Sequence, residues 1–270
     1  MTASEPFFRR VAIVGVGLIG GSIGKAVTAT WPSTQVVPID AGDDLARVAG
    51  ADLVVLAAPV LANVAILPDL PRHLSPSTLV TDVSSTKRLI TAAAGAVPGL
   101  TFIGGHPMAG AARGGAANAR ADLFHGRPWI LTPGAEDTGP LQRLEAFVAG
   151  LGSSPHIMTP DLHDRFVGAV SHLPQLTASA LLHVVGTLAG DAGLEIAGPG
   201  LYDTTRLAAS PAGIWKDVAA TNHDVLRPAL DALIAALLEM RDSLETGAGI
   251  EAVFTSACRW REELDRSRTS

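Results

Sequence analysis

Val11-Ala12-Ile13-Val14-Gly15-Val16-Gly17-Leu18-Ile19-Gly20 is the stretch that decides the fold. A β-branched apolar run ends in glycine. A helical pattern then runs from Leu18 to Thr30 and is stopped by Trp31-Pro32-Ser33, because proline disfavours α in its predecessor. Residues 15–20 match G-x-G-x-x-G in the strand–turn–helix setting that this motif requires. The first glycine permits a tight turn, the second lets a pyrophosphate approach the backbone, and the third lets helix and strand pack closely. Free N–H groups at the helix start face the phosphates. Gly15, Gly17, Leu18, Ile19 and Gly20 are therefore predicted to hold a dinucleotide. The plain alternative is a glycine-rich turn in a chain with 28 glycines.

Working outward, Val36–Ile39 reads as a second strand ending at Asp40, 20 residues after Gly20. An acid there suits the ribose hydroxyls. With Asp43 and Asp44 following and no Lys or Arg before Leu45, a 2′-phosphate would be repelled, so NAD is expected rather than NADP. The competing reading is that Asp40 caps a turn. Only twelve residues separate Asp40 from the next strand, which predicts a truncated crossover. Further strands are expected at Leu53–Ala57, Leu79–Val83, Thr101–Ile103 and Trp129–Leu131, with a helix near Pro140–Leu151. Pro59 stops the third strand and is predicted to face the cofactor. Short apolar runs without alternation predict a parallel sheet covered on both faces.

After residue 158 the pattern becomes helical. Thr159-Pro160-Asp161 reads as a helix start, with a cap, a first-turn proline and an acid at the positive end. Leu226, Leu230, Leu233, Leu237 and Leu244 form a helical stripe. The expectation is an α/β domain over 1–158 and an all-helical domain over 159–270.

Composition narrows the function classes. With 47% hydrophobic and 17% charged residues, the chain is globular rather than disordered. A single cysteine, Cys258, rules out a disulfide framework and any cysteine-based metal site. It suits a reducing compartment and a cytoplasmic location. A net charge of −6 argues against a nucleic-acid partner. Met1–Arg10 has no apolar core or cleavage site of a targeting signal. The longest uncharged run, Phe166 to Gly190, contains His172, Pro174, Gln175 and His183. It reads as a buried helix pair and not a membrane span. The excess of Ala, Val and Leu suggests a large interface between subunits. No histidine spacing suits a metal.

Five later motifs carry a family resemblance: Asp82-Val83-Ser84-Ser85-Thr86-Lys87, Gly104-Gly105-His106-Pro107-Met108-Ala109-Gly110, Ser171-His172-Leu173-Pro174, Asp203-Thr204-Thr205-Arg206-Leu207-Ala208 and Ile214-Trp215-Lys216-Asp217-Val218. In this order, and with the glycine turn, they resemble the prephenate/arogenate dehydrogenases of tyrosine biosynthesis over about residues 10–245. The resemblance implies a Rossmann domain followed by a helical domain that dimerises. It implies an NAD(P)-dependent oxidative decarboxylation of prephenate to 4-hydroxyphenylpyruvate, or of arogenate to tyrosine. With the glycine turn beginning by residue 15 and about 25 residues left after the last matching helix, no mutase module is expected before the turn and no regulatory domain after the helix, so that tyrosine would compete at the active site.

Within that resemblance His106 is the catalytic base, since a neutral imidazole can accept the substrate's hydroxyl proton as hydride departs. Ser85 matches the serine between cofactor and substrate, able to bond the substrate hydroxyl or His106; otherwise it caps a helix before Lys87. Arg206 matches the arginine that binds a substrate carboxylate, a task suited to its planar fork; the alternative is an ion pair with Asp203 or Asp217. Ser171 and Gln175 are expected to bind substrate from a helix that Pro174 interrupts. Many relatives carry histidine at the position of Gln175, where the amide brings no charge. His172 reads as a core or interface histidine, His163-Asp164 as a hinge or helix-start pair, and Lys87 as structural. Two other functions remain open: a dehydrogenase for the 4-amino analogue of prephenate, and a non-catalytic NAD-binding sensor.

Overall fold

The computed structural model of the protein describes residues 7–269 apart from 112–113 and 135–137. Residues 1–6 of the stretch read for a targeting signal lie outside it. Seven strands form one sheet: β1 (Arg10–Val14), β2 (Gln35–Ile39), β3 (Leu53–Leu56), β4 (Leu79–Asp82), β5 (Thr101–Pro107), β6 (Pro128–Thr132) and β7 (Ser154–Ile157), in the order β2-β1-β3-β4-β5-β6-β7.

The central strands are apolar without alternation because both faces are covered. Val11, Ile13, Leu53 and Val55 face a core that includes Ile23 and Val27 of α1 (Leu18–Thr30). Ala12, Val54 and Leu56 face the opposite core, with Val60 of α2 (Val60–Ile66) and Ile90 of α3 (Arg88–Gly95). Between β2 and β3 the crossover shrinks to one 3-10 turn, Leu45–Val48, the truncation expected from the spacing.

The sheet departs from a purely parallel one at β6, which runs antiparallel to β5, with His106 opposite Ile130. Parallel neighbours need a long crossover, usually helical. The described part of the link from β5 to β6 holds only a three-residue 3-10 turn, Ala116–Asn118, so the chain returns reversed. A helix, α4 (Thr138–Gly150), then leads to β7, parallel to β6. Strand β7 was not expected; its Ser154-Pro155-His156-Ile157 has little of the β-branched apolar character of the others.

From Pro160 onward the elements are helical: α5 (Pro160–Val167), α6 (Leu173–Leu194), α7 (Pro199–Thr205), α8 (Ala212–Thr221), α9 (His223–Asp242) and α10 (Ala248–Thr269). The start of α5 is as read: Thr159 Oγ1 accepts from the Leu162 N–H at 3.3 Å, and Pro160 and Asp161 fill the first turn. Pro174 does not interrupt a helix. It occupies the first turn of α6, and one π turn, Gly168–His172, joins α5 to α6. That wider turn accommodates the missing N–H and the ring, which would clash with a regular helix. Nor is the run from Phe166 to Gly190 buried: Val170, Val184 and Leu188 are 69%, 51% and 83% exposed. By packing, Met1–His223 form one compact unit and Asp224–Ser270 a second. No helix of the described residues is long and apolar enough to cross a membrane.

Candidate active site

Two adjoining cavities open at the carboxyl end of the sheet. The first, about 410 Å³, is lined by Gly17, Leu18, Ile19 and Pro59 and, across from them, by Ser85, Gly110 and Trp215. Its floor is the glycine turn. Gly15 has φ +99°, and a Cβ there would lie 2.6 Å from the Ala57 carbonyl carbon. A Cβ on Gly20 would collide with the Gly15 carbonyl oxygen. At Gly17 a Cβ would meet nothing within 4 Å. Two glycines are thus required by the protein's own packing, while the middle one faces open space, as a backbone that a pyrophosphate approaches should. This geometry fits a dinucleotide. Gly15 and Gly20 shape the turn without lining the cavity. Asp40 follows β2 on the surface, where its Oδ1 accepts the Ala41 N–H at 2.9 Å. Arg47 is occupied by Asp43 at 2.7 Å.

Asn63, to which the sequence reading assigned nothing, supports the wall at Pro59. Buried at the second turn of α2, its amide donates to the carbonyls of Leu56 and Ala58 and to Ser84 Oγ, and accepts the Ala58 N–H. It fixes the turn that presents Pro59.

The second cavity, about 400 Å³, collects Ser85, His106, Ser171, Gln175 and Arg206. All five candidates, from four separate stretches of sequence, meet here. Ser85, Ala109, Gly110 and Trp215 line both cavities, so Ser85 stands at their junction. Arg206, on the 3-10 turn Arg206–Ala209 after α7, forms no ion pair with Asp203, Asp217 or any other described residue. Its guanidinium is available to an anion. Gln175 is buried and committed: Nε2 donates to the Leu207 carbonyl at 2.7 Å, and Oε1 accepts from Ser210 Oγ at 3.2 Å. It braces the turn that carries Arg206.

His106 sits near the end of β5, 8% exposed. The two glycines before it are forced: a Cβ on Gly105 would lie 2.5 Å from the Asp82 carbonyl oxygen. Beneath them Lys87, fully buried, bonds Asp82 and donates to the Gly105 carbonyl at 2.6 Å. Asp82 in turn accepts the N–H groups of Ser84 and Gly105, each at 2.9 Å. Lys87 is structural, as read. Ser85, however, does not hold the His106 ring, and its hydroxyl bonds no described residue. The partner of His106 Nδ1 is His163 Nε2 at 2.8 Å, and His163 Nδ1 reaches Asp164 Oδ1 at 2.7 Å. Asp164 also accepts the backbone N–H groups of Lys87 and Arg88.

Burial, then the neighbouring His163, Lys87 and His172, push His106 well below the ordinary histidine pKa. Burial likewise lowers His163, against the pull of Asp164. Burial alone would raise Asp164, but hydrogen bonds from His163 and from the Arg88 and Lys87 amides hold it below the usual carboxylate range. His172, packed edge-on to Trp215 and facing Asn222, is lowered by burial to about 4. The site therefore holds neutral imidazoles beside an ionised carboxylate. The residues missed, His163 and Asp164, have one local signal: a titratable pair in a helix's first turns. Nothing local shows that they reach a histidine 57 positions earlier.

Comparison with known proteins agrees with this geometry. Residues 14–155 match the family model of the prephenate dehydrogenase nucleotide-binding domain, and 159–253 that of its dimerization domain. The chain is 30% identical to a prephenate dehydrogenase from Bacillus subtilis, over 87% of this chain and 70% of that one. It is also 30% identical to a cyclohexadienyl dehydrogenase from Zymomonas mobilis, over 90% of both. A prephenate dehydrogenase from A. aeolicus, solved with hydroxyphenyl propionate and NAD+, superposes with a TM-score of 0.80 at 25% identity, covering 100% of this chain and 99% of that one. An arogenate dehydrogenase from Synechocystis gives 0.75 at 26% identity, over 97% and 100%.

Proposed function

The chain belongs to the prephenate dehydrogenase family, and on that premise we propose that it oxidatively decarboxylates prephenate or arogenate with NAD, in tyrosine biosynthesis. The observation that carries this reading is the single cavity that gathers Ser85, His106, Ser171, Gln175 and Arg206 beside a cleft floored by the glycine turn.

When bound in that cleft, NAD supplies the acceptor for the hydride. The chain's own residues bind, orient and handle the proton. Gly17, Leu18, Ile19 and Pro59 contact the dinucleotide, with Gly15 and Gly20 shaping the turn. Asp40 takes the ribose hydroxyls, which disfavours a 2′-phosphate and sets NAD above NADP. Arg206 pairs with a substrate carboxylate through two parallel N–H bonds, and Ser171 adds a hydroxyl. Gln175 acts by bracing Arg206. Ser85, at the junction, bonds the substrate hydroxyl. His106 accepts that hydroxyl's proton while the hydride leaves the same carbon. The ring carboxylate departs as carbon dioxide, its bonding pair completing the aromatic ring. Aromatisation drives the step, so the protein's work is alignment.

We assign 1–158 to cofactor binding and 159–270 to substrate binding and dimerisation. A homodimer in the cytoplasm is the assembly we assign, and its interface would cover exposed apolar side chains of the helical part such as Leu188, Ile196 and Tyr202. The test is NADH formation by the purified protein with prephenate and with arogenate, each repeated with NADP. Turnover with at least one substrate and a preference for NAD is expected. NAD binding without turnover of either would overturn the reading.

A further inference from the structure

The buried chain behind His106 has a direction. Asp164 Oδ1 accepts the Lys87 N–H at 2.7 Å, and Oδ2 accepts the Arg88 N–H at 3.0 Å and its Nε–H at 3.1 Å. Each of these partners can only donate, so the carboxylate is an acceptor on both oxygens. His163 Nδ1, 2.7 Å from Oδ1, must then carry a hydrogen. A neutral His163 is left with a lone pair on Nε2, 2.8 Å from His106 Nδ1. That atom must supply the hydrogen between them.

We infer that His163 and Asp164 are positioning residues that hold His106 with its proton on Nδ1 and a bare Nε2. This rests on the dehydrogenase reading and deepens it. A base that is to take a hydroxyl proton needs a free lone pair at the reacting edge, and His106 Nε2 bonds no described residue. The ring by itself would divide between two tautomers; the bond made by the other nitrogen selects one.

The same chain balances the proton. The substrate hydroxyl's hydrogen passes to His106 Nε2 as hydride leaves the carbon. The resulting positive charge is shared through Nδ1 with His163 Nε2, while His163 Nδ1–H stays on Asp164. After the C–C bond breaks and its pair enters the ring, the product oxygen reclaims the proton. The chain consumes none and needs no exit to bulk water, consistent with a relay in which His163 and Asp164 are fully buried. The charged and titratable groups around it are Lys87 and His172 facing His106, Lys87 and Asp82 facing His163, and Arg88 on Asp164.

The test combines nitrogen-15 NMR of the histidine rings with kinetics, using full-length protein. In the wild type at pH 7.5, His106 is expected as the Nδ1–H tautomer, a readout that needs no substrate and so stands even if the substrate assignment fails. In Asp164→Asn the new amide can donate to His163 Nδ1, which reverses both bonds and puts the proton on His106 Nε2. kcat should fall about 100-fold or more with KM and NAD binding within about threefold. His163→Ala should lower kcat similarly, and His163→Gln, whose carbonyl can still accept, should recover part of it. If Asp164→Asn fails to fold, the His163 pair decides. An Nε2–H tautomer in the wild type, or unchanged kcat in His163→Ala, would overturn the inference.

Discussion

The two cavities meet at Ser85 yet are built in opposite ways. The cofactor cleft is floored by backbone from one short stretch, where contacts within 2.6 Å or less demand two of the glycines and the third faces open space. The substrate cavity is built from side chains that arrive from β5, the π turn, α6 and the turn after α7. It depends on a layer of buried charge and imidazole beneath it. A backbone site is specified where it lies; a side-chain site is specified by everything that packs behind it.

The sharpest way to break this contrast is His106→Asn. Removing the proton acceptor should cost about 10³-fold in kcat, while NAD titration gives an unchanged Kd. A parallel loss of NAD binding would mean that the two cavities are not independent. Arg206→Met should raise KM for substrate about 30-fold, from the loss of a charge-assisted pair of about 2 kcal/mol. Arg206→Lys should recover only part, because a point charge does not reproduce the planar fork.

The glycines divide the cleft itself. Gly20→Ala should lower stability by about 2 kcal/mol, as overpacking against backbone does, read as a drop in Tm. Gly17→Ala should leave Tm nearly unchanged and weaken NAD about tenfold, or about 1.4 kcal/mol. Equal effects at both positions would erase the distinction between a packing glycine and a ligand glycine.

The last effect is in pH. His106, His163 and His172 all have lowered pKa values when folded. Between the folded and unfolded values the unfolded chain binds more protons, so stability is fully present above about pH 6.5 and is lost as pH falls through it. For His172, lowered to about 4, the loss approaches about 3 kcal/mol by pH 4. Thermal melts should show Tm flat above pH 7 and falling below 6.5. A Tm that holds down to pH 5 would mean these rings are not buried neutral.

Much of this was legible in residue order, because the signals are local. The glycine turn, its helix and the capped start at Thr159 each depend on neighbours within a few positions. The five candidates of the substrate cavity were found through motifs, and the structure brings them together. Other features were not legible, for physical reasons that differ. The reversal of β6 follows from a link without a crossover helix, and local pattern does not report strand direction. Ser85 was read as bonding the substrate hydroxyl or His106, or as capping a helix; the ring's partner is His163, because ring partners are set by which segment docks against β5.

What the sequence by itself determined is therefore the nucleotide turn, the change from strands to helices near 158, and the candidate side chains that the structure gathers in one cavity. All of these are carried by short-range spacing and residue chemistry. Only the tertiary structure decided which nitrogen of His106 is tied back, that Gln175 braces Arg206, and that Asp164 links α5 to the start of α3. Those are relations between groups far apart in the chain, and the hydrogen bonds that set them exist only once burial has excluded the water that would otherwise satisfy each group alone.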